Sequence, residues 1–437
     1  MTIISWSRER KNYVLFILCL VAALGLIDRQ LIVILLDPLK RNFHATDAQM
    51  GLLTGMAYAS IYVLAGIPLA SFADRGKRCT IIAGSVAVWS CMTMTCSLST
   101  SFIQLALTRM GVALGEAGSN PSSYSIIADL YGPKNRATAI GLLGAASSIG
   151  IGFGLFAGGY LSAHFCWRTV FLIVGAPGVV IALLIQLTVK EPPRDLSERG
   201  VSVEVTFDVF QVFRWLGRIR TFRFLVFSAT VCSMVNYGVQ IWAPTFFIRV
   251  HDISPRQVGL KLGIASAIGL LVATMGSGLL VDRFAHRDIR LYMRISGGAM
   301  LLAIPFGIAA FTLRNDDAAF ALYCPTMGLL SCWVTPIYSL SQAIARPRMR
   351  ALAYTIVAAA LNVLGYGVGP WIVGALNDCF YRHFGSGAVR YSLIVTLLAA
   401  AGAAAICFLT NRTLRDDYLH ATNDVALVLD TMQPHEA

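Results

Sequence analysis

Charge is what this sequence has least of. Of 437 residues only 13% are Asp, Glu, Lys or Arg, while 56% are hydrophobic; ordinary soluble chains carry about 25% charged residues. So little charge cannot cover a water-facing surface, which excludes a conventional soluble multidomain protein. Also missing are a GxxxxGK[ST] phosphate loop, a CxxC pair and any Cys/His metal spacing. None of the seven histidines falls within an apolar run, so a histidine relay across a membrane is excluded as well. No nucleophile constellation appears. The expectation is a chain that is not an enzyme and uses no cofactor or metal, its energy coming from a gradient rather than from ATP.

What is present is long apolar runs, with a mean hydropathy of +0.67. Runs of about 20 apolar residues are long enough to span a bilayer. Windows of that size place spans at 13–36, 48–72, 79–99, 102–130, 137–162 and 167–189, then at 224–249, 257–281, 291–313, 318–345, 351–377 and 389–411. The start, RERKNYVLFILCLVAALG, has the basic flank and apolar stretch of a signal peptide. The apolar run resumes after Asp28-Arg29, so it reads as an uncleaved first helix. The expected domains are a six-helix bundle over 1–189, a charged connector over 190–223, a second six-helix bundle over 224–411 and a polar tail over 412–437.

The net charge of +12 would suit nucleic acid, but the cations sit in short loops rather than on one face. Taking the N-terminus as cytoplasmic, 24 of the 35 Lys and Arg lie on that side, nine on the other, and Arg29 and Arg109 within spans. Cytoplasmic loops carry the excess of positive charge. Both termini are therefore expected in the cytoplasm, in the cell (inner) membrane, with no nucleic-acid partner. Eight of ten cysteines lie in spans as small apolar residues. Cys166 and Cys379 fall in external loops, where a bridge is possible but nothing requires it.

The two halves echo each other. GIPLASFADRGKR after the second span answers GSGLLVDRFAHR after the eighth, setting Asp74-Arg75 against Asp282-Arg283, 208 positions later. NPSSYS…KNRATA and TPIYSL…RMRALA pair Pro121 with Pro336 and Arg136 with Arg350. Parallel internal repeats are a transporter construction.

On these residues the chain resembles the major facilitator superfamily over essentially its whole length. ADRGKR matches that family's cytoplasmic loop signature, with Ala70 where a Gly is usual. Asp-Arg in the first span, RMGVALGEAG…SSYSIIADLY in the fourth, WRTVFLIVGAPG and EPPR resemble the Spinster-like branch. The resemblance implies an all-α polytopic membrane protein, its 12 transmembrane helices forming two pseudo-symmetric six-helix bundles in the major facilitator fold.

A charge at the centre of a membrane helix costs roughly 2.5–3.5 kcal/mol on insertion scales, so Asp28, Arg29, Arg109 and Glu116 need a reason. Asp28 lies about 12 Å from the external end of the first span and Arg109 about 10 Å from the same side of the fourth, at 1.5 Å per residue. Those two can meet at one level. Glu116 sits about 10 Å deeper, within reach only of a bent Arg29. The plainer reading is a structural ion cluster joining the two helices. The sharper one makes Glu116 or Asp28 a proton carrier, since burial raises a carboxyl pKa and a neighbouring Arg lowers it. The Spinster resemblance associates these four positions with proton coupling (Asp28, Glu116) and substrate binding (Arg29, Arg109).

The second half carries no deep charge. Asn236, Gln240, Tyr338, Gln342, Asn362 and Tyr366 are its polar candidates for substrate contact; packing or interhelical hydrogen bonding is the alternative for each. The glycines of GLLGAASSIGIGFGLFAGG lack the preceding strand of a nucleotide site. They let helices approach closely, and their spacing resembles the superfamily's fifth-helix antiporter motif with Leu155 in place of its proline. Asp74, Arg75, Arg136, Asp282, Arg283 and Arg350 are expected to gate the cytoplasmic side, or else only to set topology.

The expectation is a secondary active transporter, proton-coupled, moving a small amphiphilic or organic-anion substrate by alternating access as a monomer in the lipid bilayer. An uncoupled facilitator of lipid-like molecules and a non-transporting membrane ligand sensor are the alternatives.

Overall fold

The computed structural model describes residues 6–75, 77–192, 209–284, 288–345 and 349–430. Its helices, in chain order, are α1 Arg8–Ile34, α2 Leu36–Phe43, α3 Asp47–Thr54, α4 Met56–Arg75, α5 Arg78–Cys96, α6 Phe102–Glu116, α7 Ser119–Leu130, α8 Pro133–His164 and α9 Trp167–Thr188. There follow α10 Val209–Arg218, α11 Arg220–Val250, α12 Pro255–Phe284, α13 Leu291–Thr312, α14 Asp316–Ser331, α15 Val334–Ile344, α16 Arg350–Ala360, α17 Gly367–Phe384 and α18 Ala388–Asp430. No strand occurs among the described residues. A bilayer offers the backbone no water, so each segment must satisfy its own N–H and C=O groups, as helices do.

Among the described residues, ten stretches are long and apolar enough to cross a membrane. The last, Leu352–Leu414, runs to 63 residues and holds two crossings joined by a short turn. The expected fourth span is absent from the ten because it is broken into α6 and α7 at Ala117-Gly118. With it and the divided last stretch, the twelve expected spans are accounted for. The expected second span is jointed at Gly55, and the tenth at Cys332-Trp333. The eleventh contains a π-helical turn, Leu361–Tyr366, between α16 and α17. At the end of the chain α18 continues unbroken from the last span to Asp430, through most of the expected polar tail.

The chain groups into two compact units. The first comprises Met1–Val203, Ile241–Ala267 and Gly374–Val389; the second comprises Glu204–Gln240, Ile268–Val373 and Arg390–Ala437. In the first, α8 is held by glycines on two sides. A Cβ on Gly150 would lie 2.5 Å from the Ala23 carbonyl, and one on Gly154 2.8 Å from Ile27 Cα, so this edge lies directly on the α1 backbone. On the other side, Gly159 would meet Pro255 O at 2.3 Å and Gly152 would meet Gly263 O at 2.8 Å, both on α12. Small residues allow such approach where lipid supplies no hydrophobic drive. In the second unit, Gly369 lies similarly against Met234 of α11.

A candidate binding and coupling site in the first unit

The breaks in the helices mark where polar chemistry sits. Asp28 on α1 is 2% exposed, Arg109 on α6 2% and Glu116, the last residue of α6, 3%. Arg109 Nη1 donates to Asp28 Oδ2 at 2.9 Å, and Thr93 Oγ1 of α5 donates to Asp28 Oδ1 at 2.8 Å. Arg29 Nε donates to Glu116 Oε2 at 2.7 Å. The same oxygen accepts the Tyr58 hydroxyl of α4. The four charges therefore stand as two adjacent pairs with a formal sum of zero, which lowers the cost of carrying each in a low-dielectric interior.

Around Arg29 is an aromatic cage. Its guanidinium lies 4.7 Å from the Tyr58 ring centroid and 4.9 Å from that of Tyr62. The two rings stack at 5.9 Å, and Asn120 Nδ2 donates to the Tyr62 hydroxyl at 2.8 Å. Cation–π contacts are stronger where water is excluded. Glu116 keeps one oxygen in reserve: Oε1 is buried with no hydrogen-bond partner among the described residues. An unpaired buried acceptor is costly. It can gain a donor from a bound molecule, or it can itself take a proton.

Two further ionic clusters lie at opposite ends of the unit, called near (the N-terminal end) and far. At the near end Arg78, the first residue of α5, is 2% exposed. It donates to Glu191 at 3.0 Å, Ser125 at 3.1 Å and the Pro192 carbonyl at 2.9 Å, and it pairs with Asp129. Glu191 also accepts the Cys79 amide at 2.8 Å. Arg136 donates to the Ala128 and Tyr131 carbonyls, closing the end of α7.

At the far end Arg249 of α11 forks between two carboxylates. It reaches Asp37 at 2.8 and 2.5 Å, and Asp47 at 2.6 and 3.0 Å. Lys40 adds a third contact to Asp47 at 2.6 Å. Asp378 of α17 accepts the amides of Asp47 and Ala48 at 3.0 and 2.8 Å, capping α3 from another helix. Thr46 and Gln49 complete a capping box at the same turn. Gly374 permits the approach, since a Cβ there would meet the Asp47 carbonyl at 2.3 Å.

In the second unit the polar candidates make contacts of several kinds. Asn236 donates to Leu330 O at 2.7 Å and to the Ser331 hydroxyl at 3.1 Å, satisfying a carbonyl freed where α14 ends. That is the interhelical bond weighed above as its alternative. Asn362 donates back to Ala358 O inside its own helix. Tyr338 stacks on Tyr354 at 4.5 Å and Tyr366 meets Tyr237 edge-on at 4.8 Å. Gln240 is half-buried, whereas Gln342 and Arg283 are exposed. The side chains of Asp74, Arg75, Asp282 and Arg350 lie outside the described residues. Cys166 and Cys379 are both free thiols.

Sequence reasoning missed Tyr58, Tyr62, Thr93 and Asn120, and it missed the Arg78 and Arg249 clusters. Arg78, Asp129 and Glu191 all stand within the motifs ADRGKR, SSYSIIADLY and EPPR, so that signal was available. Nothing local marks Arg249 as the partner of Asp37 and Asp47, more than 200 positions earlier in the chain.

Long membrane-crossing helices that bury mutually compensated charge suit a membrane transporter. The family model of the Major Facilitator Superfamily matches residues 18–370, and the chain belongs to that superfamily. An MFS-type efflux pump of Mycolicibacterium smegmatis is 31% identical over 395 residues, 90% of each chain. A probable sphingolipid transporter of Arabidopsis thaliana, spinster homolog 3, is 24% identical, covering 86% of this chain and 77% of the relative. A crystal structure of a bacterial homolog of the human lysosomal transporter Spinster, inward-facing and unoccupied, superposes with a TM-score of 0.86 at 32% identity, over 94% of this chain and 99% of that one. The protein is a Spinster-like major facilitator transporter.

Proposed function

We propose that the chain is a proton-coupled secondary transporter for a small amphiphilic or organic-anion substrate. Its two six-helix bundles, 1–189 and 224–411, alternate access across the inner membrane, with both termini cytoplasmic. The observation that carries the proposal is Glu116. It is a buried carboxylate held on one oxygen by Arg29 and Tyr58, with its other oxygen unpartnered. A proton on Oε1 would weaken the attraction for Arg29 and release its guanidinium to an anionic head group. Loss of that proton would recapture Arg29 and expel the anion. Exchange of this kind links proton and substrate through one side chain.

Asp28 is the second proton-coupling candidate, with Arg109 on the substrate side of the same network. The lipid-like end of the range is supported by the name of the Arabidopsis relative, a probable sphingolipid transporter. Arg78, Arg136 and the paired Asp-Arg loops, Asp74-Arg75 and Asp282-Arg283, serve the cytoplasmic gate with Arg350. Arg249 and its carboxylates serve the external one. Opening the external end requires Arg249 of the second bundle to part from Asp37 and Asp47 of the first.

The pairing of both carboxylates with arginines favours a second reading, an uncoupled facilitator whose ion pairs only join helices. Flux of a screened ligand into vesicles separates the two. Coupled transport follows an imposed pH gradient and collapses with a protonophore; facilitated transport ignores both.

A further inference from the structure

Two helices that lock together along most of their length part at one end. Gly150 and Gly154 hold α8 on the backbone of α1 at Ala23 and Ile27. Toward the near face the pair opens around a cavity of about 690 Å³. That is within the range of small-molecule sites, about 300–1,000 Å³. The Tyr131 hydroxyl donates to the Lys11 carbonyl at 3.1 Å, so the opening is tied across one wall.

The lining is divided by chemistry. Arg8 and Lys11 supply two cations, and no acidic residue lines the cavity among the described residues. Trp6 and Tyr131 add amphipathic rings of the kind that settle at a membrane–water interface. The remaining wall is apolar, including Leu15 and Leu142, and Leu142 is 51% exposed on a helix that crosses the bilayer. The first turn of α8 carries no acidic residue, so its dipole adds to the positive potential.

We propose that this cavity binds an anionic phospholipid of the surrounding leaflet. The phosphate lies between Arg8 and Lys11, and an acyl chain runs along Leu15 and Leu142. A free phosphate would have no use for the apolar wall, and a zwitterionic head would set its ammonium against two cations. Assigning the lipid to the cytoplasmic leaflet rests on the orientation proposed above; the binding itself does not, and it is read without any transport assay.

The test is native mass spectrometry of the full-length protein in detergent, titrated with phosphatidylglycerol or phosphatidylcholine. The wild type should retain phosphatidylglycerol saturably and phosphatidylcholine much less. Arg8→Gln with Lys11→Gln should weaken retention by about thirtyfold, the combined contribution of two interfacial cations. Arg220→Gln with Arg223→Gln removes the same charge outside the cavity lining and should leave retention close to that of the wild type. Leu142→Trp keeps both cations while obstructing the apolar wall, and it should also lower retention. Equal retention of the two lipids would overturn the proposal, as would unchanged phosphatidylglycerol binding in both the double variant and Leu142→Trp. Displacement of the lipid by millimolar inorganic phosphate would assign the site to a free anion and overturn it equally.

Discussion

Neutralising Asp28 should strand Arg109, and the structure sets the size of the effect. The two side chains meet at 2.9 Å and each residue is 2% exposed. Removing one partner of a buried pair costs about 3–5 kcal/mol, because the other charge is left without compensation. Asp28→Asn keeps an acceptor for the Thr93 hydroxyl, so its cost falls near the lower end. Arg109→Gln leaves a carboxylate with a single hydroxyl donor, so its cost falls near the upper end. The double variant removes both charges and should recover about 2–3 kcal/mol of the summed loss, the coupling expected of contacting residues. Reversible unfolding of the four proteins in mixed detergent micelles measures this cycle. Additivity to within about 0.5 kcal/mol would mean no coupling, and the pairing would be refuted.

Gly154→Leu should destabilise the protein by at least about 1–3 kcal/mol, an overpacking cost, because its Cβ would already lie 2.8 Å from the Ile27 backbone. Gly141→Leu on the same helix meets nothing within 4 Å and should be nearly neutral in the same unfolding assay. Arg249→Met leaves Asp37 and Asp47 facing each other with Lys40 as their remaining cation in the cluster; it should lower stability by about 3 kcal/mol and raise accessibility of the far end to impermeant thiol reagents. Arg249→Lys keeps the charge without the fork and should fall between. The exposed Cys166 thiol lies below its ordinary pKa because the Thr169 hydroxyl and amide hydrogen-bond to it. In a Cys379→Ser background its labelling by maleimide should therefore have a pH midpoint below 9.0, since the thiolate is the nucleophile; with the termini cytoplasmic as proposed, an impermeant maleimide reaches it from outside intact cells. Thr169→Val should move that midpoint up.

Much of the fold was legible because a bilayer demands long apolar helices, and about 20 such residues in a row have few other uses. The level of Asp28 against Arg109 could also be read, since rise per residue converts position into depth. The breaks could not. Ala117-Gly118 and Cys332-Trp333 are apolar or helix-compatible residues, so nothing local marks a break there; at the first, Gly118 lets Ser85 of α5 approach, since a Cβ would meet Ser85 Oγ at 2.5 Å. Tyr58 and Tyr62 lie in an apolar run where aromatic residues commonly pack, and only the third dimension shows them enclosing Arg29. Asn236 shows the converse. Its polarity drew attention as a binding candidate, and its amide is engaged with the Leu330 carbonyl. The far-end cluster escaped because Arg249 reads as a cation ending a span, while its partners stand on α2 and α3, far away in the chain.

Glu116 bears the central claim, and proton movement is its most direct measure. Purified protein and its Glu116→Gln variant, reconstituted into vesicles with an internal pH dye, would be given a transported amphiphile without any imposed gradient. Substrate-driven proton flux in the wild type, and its loss in the variant while the amphiphile still binds, is the predicted result. A variant that moves protons and substrate in the wild-type ratio would contradict the account.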